Sequence, residues 1–237
     1  MRFQDAAPDA RAVVYAGIQA EPLVARAAAL LADAGPDQRV LARAAMNGMS
    51  TDGATWRAMA PTLFGEAAAG RPGPDGDQAR SEAILAVALE VAERGEQVRS
   101  QVRGAIVESL TATLAARRRG ATRDGAIRRE RRILFDGVRA EIHPYDVTVE
   151  TPGAEEALDC KWGARGISAD VLHQLDDARK HAADEDVDLA VTLVVFDARR
   201  SCDVRLARET APRSATRFVT IETLDDLTGD RMAGAGR

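Results

Sequence analysis

An almost unbroken apolar run, VDLAVTLVVFDA at positions 187–198, constrains the fold of this chain more than any other segment. It has the length and composition of a β-strand and is too short to cross a membrane as a helix. A continuous apolar pattern, unlike an alternating one, predicts burial on both faces and parallel pairing with a neighbouring strand. Because both faces of such a sheet need a covering layer, the run predicts an α/β architecture.

The first half of the chain has helical periodicity. The Ala-rich segment 8–69 predicts two to four helices, and residues 77–119 predict two more, broken near ERGEQ. Between them, AGRPGPDGDQ at 69–78 concentrates Gly, Pro and Asp, which indicates a loop or linker. We therefore predict a helical N-terminal region over 1–76, used for targeting, dimerisation or regulation, a second domain over 77–228, and a flexible tail over 229–237.

After Gly120 the periodicity becomes alternating. Further along the chain, Ser168 as an N-cap and Asp170 in the first turn predict a helix that begins just after Ser168 and precedes the apolar run at 187–198. The order helix, three strands, helix, strand gives a three-layer α/β sandwich around a mixed sheet. The three predicted antiparallel strands are 131–137, 145–151 and 156–163, and a further strand is expected within 216–224.

Composition narrows the class of protein. The formal net charge of −5 argues against nucleic-acid binding by the whole surface but allows a local basic patch. Cys160 and Cys202 stand far apart without a CxxC motif, so neither a structural zinc site nor a disulfide framework is expected. The N-terminus carries acids and a proline where a signal peptide needs a basic start and an apolar core. A cytoplasmic protein with no membrane association is therefore expected.

Two predicted strands carry charge where core residues are expected. Side chains alternate across a strand, so Asp159 and Lys161 point to one face, and Leu158 and Cys160 point to the other face and into the core. Antiparallel pairing brings Asp146 within reach of Asp159. Two carboxylates at that distance repel unless a cation lies between them, and hard oxygen ligands suit Mg²⁺ or Mn²⁺. Lys161 can then orient or help deprotonate a water and stabilise charge on a phosphorane-like transition state.

Asp146 followed by Asp159-Cys160-Lys161 resembles the D…(D/E)xK signature of the PD-(D/E)XK nuclease superfamily, which includes restriction endonucleases, RecB-type nucleases and Mrr-like enzymes. The predicted element order is similar to the αβββαβ core of that superfamily, over residues 95–200. The resemblance implies a restriction-endonuclease-like fold and a Mg²⁺-dependent deoxyribonuclease acting in restriction, defence against foreign DNA, or repair. The chain departs from the signature in PYD, where a tyrosine separates the proline from the aspartate.

The resemblance implies further site residues. Glu108 resembles the acid on the first core helix that completes the metal site, which gives Glu108, Asp146 and Asp159 as metal ligands. Gln174 resembles a glutamine that supports the catalytic lysine or the substrate phosphate. For Glu108 and Gln174 a solvated helix residue is the alternative interpretation. For Lys161 the alternative is an edge-strand lysine paired with Asp159 at the surface.

The segment RRRGATRDGAIRRERR at 117–132 is strongly basic in a protein that is acidic elsewhere. DNA phosphates are its predicted partner, and the scarcity of aromatic residues favours duplex DNA over a single strand. The alternative is that these arginines lie at a solvated helix end, where positive charge complements the helix macrodipole. This alternative accounts for Arg117, Arg118 and Arg119 but not for the arginines at 128–132. The predicted DNA-binding residues are Arg117, Arg118, Arg119, Arg128, Arg129, Arg131 and Arg132.

Cutting both strands of a duplex needs two sites, so a homodimer or a subunit of a larger complex is expected. The alternative to an enzyme is a non-catalytic DNA-binding or assembly subunit with the same fold. The presence of both acids and the lysine favours the enzyme.

Overall fold

The computed structural model of the chain describes residues 1–7, 10–64, 77–119, 126–139, 143–151, 155–209 and 217–229. It divides into two compact units. One comprises Met1–Pro8 with Leu114–Arg237 and is called here the sheet unit, and the other, Asp9–Thr113, is called the helical unit. The sequence placed a boundary at residue 76, whereas the units divide between Thr113 and Leu114. Most of the predicted 69–78 linker and of the 229–237 tail lies outside the described residues.

The described residues of the helical unit contain six helical segments, and four of these lie within the segment for which two to four were predicted. Pro22 and Pro36 each stand in the first turn of a helix, where a missing backbone N–H costs nothing. The predicted break near ERGEQ separates the last two helices. The helices are α1 (Ala10–Gln19), α2 (Pro22–Ala32), α3 (Pro36–Asn47), α4 (Gly53–Phe64), α5 (Asp77–Ala92) and α6 (Glu96–Arg119), of which the last part belongs to the sheet unit.

A mixed sheet forms the centre of the sheet unit, so the α/β prediction is confirmed. The strands lie in the order β1-β2-β4-β5-β6-β7, with β3 paired to β2. Among the described strands, the β5–β6 and β6–β7 pairs are parallel and the other neighbouring pairs are antiparallel. The elements are β1 (Arg2–Asp5), β2 (Ala126–Phe135), β3 (Val138–Arg139), β4 (Tyr145–Glu150), β5 (Glu155–Lys161), a 3-10 turn (Ala164–Gly166), α7 (Ala169–Asp184), β6 (Leu189–Val195), α8 (Arg199–Leu206), β7 (Arg217–Val219) and a 3-10 helix (Ile221–Leu227).

The predicted α7 and β6 are both present. The Ser168 hydroxyl accepts a hydrogen bond from Val171 N at 3.4 Å, as an N-cap does, and Asp170 lies in the first turn. β6 lies between two parallel strands, and Leu193 and Val194, which point to opposite faces, are both fully buried. The continuous apolar run therefore has the burial on both faces that its composition predicts.

Four strands of the sheet differ from the sequence prediction, and one of them, β3 (Val138–Arg139), was not predicted. β1 was not predicted either, because its pairing with β2 joins segments far apart in the chain. β2 begins at Ala126 instead of residue 131, so the strand contains Arg128, Arg129, Arg131 and Arg132. Of the predicted strand 216–224, only Arg217–Val219 is extended, and Ile221–Leu227 is a 3-10 helix.

One hydrophobic cluster of the sheet unit lies between the sheet and α7. Leu172 and Leu175 of α7 belong to one cluster with Leu193 and Val195 of β6. Cys202 joins this cluster, and burial, followed by the charges of Asp197 and Glu222, raises the pKa of its thiol to about 12. No helix in the described part of the chain is long and apolar enough to cross a bilayer.

Candidate active site at the carboxyl end of β5

The pairing of β4 with β5 brings the two predicted acids to neighbouring positions. Val147 lies opposite Leu158 in the antiparallel ladder, so the next step of the register sets Asp146 against Asp159. Asp146 Oδ2 accepts a hydrogen bond from Cys160 N at 2.5 Å, which fixes that carboxylate beside the end of β5. The predicted proximity of Asp146 to Asp159 is therefore present in the fold.

Lys161 is the last residue of β5 and completes this group. Its Nζ donates a hydrogen bond to Asp159 Oδ1 at 2.7 Å, and its side chain is 25% exposed against 9% for Asp159. Burial alone would lower the pKa of Lys161, but the negative charges of Asp159 and then Asp146 outweigh it, so the pKa is raised. The site thus holds an ammonium group between two carboxylates.

The surface alternative for Lys161 is wrong. β5 is a central strand between β4 and β6, not an edge strand, and the side chain of Asp159 is only 9% exposed. The core was predicted on one face of β5, but Ala157 and Leu158, on opposite faces, are both fully buried. Asp159 is a register partner of Leu193 in the cluster packed under α7. The acid therefore lies at the rim of a covered face, at the carboxyl end of parallel strands.

A short turn after β5 holds Lys161 in place. A Cβ atom at Gly166 would lie 2.9 Å from both Cβ and Cδ of Lys161, so the bare glycine packs directly on the lysine stem. The backbone oxygen of Lys161 accepts a hydrogen bond from Phe196 N at 2.8 Å. The buried Asp197 accepts one through Oδ2 from Ala164 N at 2.9 Å. Gly166 and Asp197 were not identified from the sequence, although WGARG directly after the DxK motif was a signal for a tight turn.

We expect Gly166→Ala to destabilise the fold by about 1–3 kcal/mol, because the added methyl overlaps the Lys161 stem and forces one of the two to move. Denaturant unfolding of the variant measures this cost. Gly229→Ala is the control, since its nearest neighbour, Asp226 O, would lie 3.8 Å from the new Cβ. Equal stability of the two variants would show that the contact with Lys161 is not tight.

Gln174 contacts the chain before β4. Its Nε2 donates to His143 O at 3.1 Å, and its Oε1 accepts from His143 N at 3.4 Å. These two bonds fix the backbone three residues before Asp146. The resemblance implied that Gln174 supports Lys161 or the substrate phosphate, and its two hydrogen bonds in the structure go to the His143 backbone and not to Lys161.

Glu108 lies in the helical unit and is nearly buried, at 5% exposure. Its Oε1 accepts a hydrogen bond from Tyr15 Oη at 2.5 Å and its Oε2 accepts one from Gln19 Nε2 at 2.7 Å. Both partners belong to α1. The solvated alternative for this residue is therefore wrong, and both carboxylate oxygens hold α1 against α6.

The described members of the predicted DNA-binding set differ in their exposure and in their ion pairs. Arg118 makes a buried ion pair with Glu156 at 2.7 Å. Arg131 bonds to Glu150 at 2.8 Å and also to Asp5. Burial opposes the charge of Arg131, but its hydrogen bond to Glu150 contributes most to a net rise of its pKa. Of the remaining predicted arginines, Arg117 and Arg128 are exposed, Arg129 and Arg132 are half-buried, and the side chain of Arg119 lies outside the described residues.

The donor set at the end of β5 suits a hard divalent cation. Mg²⁺ in proteins is bound by one or two carboxylates together with waters and substrate phosphates, and Asp146 and Asp159 supply two carboxylates on adjacent strands. Asp159 accepts the hydrogen bond from Lys161 through Oδ1. Among the described residues there is no group of three or more His, Cys, Asp and Glu side chains placed to hold a metal. The site residues thus fit a cation that completes its coordination with water or phosphate.

Comparison with known proteins gives one structural likeness. No protein-family model matches the chain, and no curated protein matches it. The chain is similar to the crystal structure of protein VC1899 from Vibrio cholerae, with 16% sequence identity and a TM-score of 0.48. The match covers 88% of this chain and 55% of that chain, so the chain spans about half the length of VC1899. The class that the fold defines is an α/β protein with a mixed sheet.

Proposed function

We propose that this chain is a metal-dependent endonuclease that hydrolyses DNA phosphodiester bonds, in restriction, defence against foreign DNA or repair. The observation that carries the proposal is the grouping of Asp146, Asp159 and Lys161 at the carboxyl end of β5. Lys161 donates a hydrogen bond to Asp159, and the charges of Asp159 and Asp146 both raise the pKa of Lys161. The element order α6, β2, β4, β5, α7, β6 supports a restriction-endonuclease-like core.

Asp146 and Asp159 are the residues that would hold Mg²⁺ or Mn²⁺. When bound, such a cation supplies positive charge to a phosphoryl oxygen and lowers the pKa of a bound water. The cation also relieves the repulsion between the two carboxylates, which Lys161 balances only in part. The hydrogen bond from Cys160 N keeps Asp146 oriented toward the end of β5.

Lys161 would act on the substrate phosphate directly. Its ammonium group is held 2.7 Å from Asp159 and is still 25% exposed, so it can donate to a phosphoryl oxygen without leaving the site. A fixed donor of this kind stabilises the charge that builds up on phosphorus oxygens in the transition state, with little reorganisation. Gly166 and the Asp197 turn keep the donor in place.

The first test is cleavage of supercoiled plasmid by purified protein in Mg²⁺, in Mn²⁺ and in EDTA. We expect nicking or linearisation in either metal and none in EDTA. Asp159→Asn should lower the rate by about 10–100-fold or more, the range seen when metal binding is weakened. Asp177→Asn is the matched control, because it makes the same charge change at an exposed position of α7.

A wild-type protein that is well folded yet inactive in every metal would contradict the proposal. That result would favour a non-catalytic subunit, in which the same charged residues stabilise the end of β5. Activity that is lost equally in Asp159→Asn and Asp177→Asn would also contradict the assignment of the site.

A further inference from the structure

Five exposed arginines of the sheet unit have no ion-pair partner among the residues that the structure describes. Arg2 and Arg128 lie on β1 and β2, and the other three lie after β5 and along α8. These three are Arg165 in the turn after β5, Arg200 on α8 and Arg208 just after α8. Their neighbours differ, because Arg199 pairs with Asp203 at 2.9 Å and Arg205 pairs with Glu209 at 2.8 Å. Unpaired, solvated guanidinium groups keep their full capacity to bind an anion.

The fold connects these three arginines to the candidate active site. Arg165 directly precedes Gly166, the glycine that packs on the stem of Lys161. The turn Ala164–Gly166 packs against α8, and Arg205 Nε donates to Ile167 O at 2.8 Å, which fixes the helix to the end of that turn.

The two arginines near α8 point away from the core. Cys202 of α8 is fully buried, and because a helix turns ~100° per residue, Arg200 lies roughly on the opposite, outer side. Arg208 N donates to Arg205 O at 3.0 Å, so Arg208 continues from the end of the helix next to the residue that binds the turn. Arg200 and Arg208 are therefore exposed on and just after the helix that packs against the turn carrying Arg165.

We propose that Arg165, Arg200 and Arg208, called here the α8 arginine surface, bind the phosphate backbone of duplex DNA beside the candidate active site. The identity of the ligand rests on the proposed function. Phosphate is the partner that planar guanidinium groups bind in bidentate fashion, and in a chain of net charge −5 a local unpaired patch is what attracts a polyanion. With 4% aromatic residues the chain has little material for stacking single-stranded bases, which favours a duplex.

This surface differs from the one that the sequence predicted. Arg118 and Arg131, two members of the basic segment 117–132, form ion pairs with carboxylates of the sheet unit. Arg165 stands singly in the sequence, Arg200 follows Arg199, and Arg208 precedes Glu209, so none of them belongs to a long basic run that would have given a signal. Within the described part of the sheet unit they remain unpaired, because the fold pairs carboxylates with the neighbouring Arg199 and Arg205 and not with these three arginines.

The test is the binding of a fluorescently labelled DNA duplex, followed by anisotropy in EDTA over a range of salt concentrations. The triple variant Arg165→Gln/Arg200→Gln/Arg208→Gln should weaken binding on the order of 10–100-fold and reduce the slope of log K against log salt by about 3. The control is Arg2→Gln/Arg11→Gln/Arg26→Gln, which removes the same charge from three exposed positions that belong neither to this surface nor to the predicted DNA-binding residues.

The inference is overturned if the first variant binds like the wild type, if the control loses as much affinity, or if the wild type prefers single-stranded DNA or duplex RNA over the DNA duplex. Thermal melting of all three proteins verifies that they are folded. Binding is read without metal, so it is independent of catalysis. Surface-dependent binding without plasmid cleavage supports this inference and overturns the proposed function, whereas cleavage with binding indifferent to the three arginines overturns this inference alone.

Discussion

Lys161→Met is expected to reduce metal-dependent plasmid cleavage by about 10²–10³-fold, the loss seen when one fixed donor to a transition-state oxyanion is removed. Methionine keeps the length of the stem that packs on Gly166 and removes only the ammonium group. The variant therefore separates the charge of Lys161 from its packing. Cleavage rates in Mg²⁺, measured with the wild type and the variant at equal folded concentration, give the result.

Lys180→Met provides the matched control for this substitution. Lys180 also pairs with a carboxylate, Asp176, but its side chain lies on α7 and is 57% exposed. We expect it to retain the wild-type cleavage rate. If Lys161→Met cleaves within a few-fold of Lys180→Met, the ammonium group of Lys161 has no part in the reaction.

A double variant tests whether Lys161 and Asp159 act together. Residues that act as one unit in catalysis show losses that do not add, so Asp159→Asn with Lys161→Met should cleave about as slowly as the worse single variant. Additive losses would indicate that the 2.7 Å contact between them has no role in the reaction.

Arg118→Ala is expected to destabilise the sheet unit by about 3–5 kcal/mol, the cost of leaving one partner of a buried ion pair without the other. The side chains of Arg118 and Glu156 are only 8% and 7% exposed and lie 2.7 Å apart. Removal of the guanidinium group leaves the Glu156 carboxylate buried at the start of β5. Urea unfolding, followed by circular dichroism, measures the loss.

Arg117→Ala is the control, because Arg117 is the exposed neighbour on the same helix and surface substitutions change stability by within about 0.5 kcal/mol. Replacement of both partners, as Arg118→Met with Glu156→Leu, should recover most of the stability, since a buried ion pair contributes little beyond a well-packed apolar pair. A cost below about 1 kcal/mol for Arg118→Ala would mean that water reaches Glu156 in the folded protein.

The part of the site that could be predicted depends on local rules. Alternation along β5 puts Asp159 and Lys161 on the same face, and a hairpin connection from β4 makes Asp146 the neighbour of Asp159. The N-cap at Ser168 fixes where α7 begins. Each of these inferences needs only residues that are close in the chain.

The part that could not be predicted depends on long-range contacts. The sequence shows Arg118 and Arg131 as members of one basic run, but their partners Glu156 and Glu150 lie on other strands. Gln174 reaches the backbone of His143 across the interior of the sheet unit. No spacing rule connects such pairs.

The sequence by itself determined the α/β class, the central buried strand and the grouping of two acids with a lysine, because backbone geometry imposes periods of about 2 and 3.6 residues on any strand or helix. Among the described residues, only the tertiary structure decided which charged side chains form ion pairs and which remain exposed and unpaired. It removed Arg118 and Arg131 from the basic surface and left Arg165, Arg200 and Arg208 available. The physical reason is that a charge is neutralised by whatever the fold places within a few ångströms of it, and that neighbour is set by packing across the whole unit.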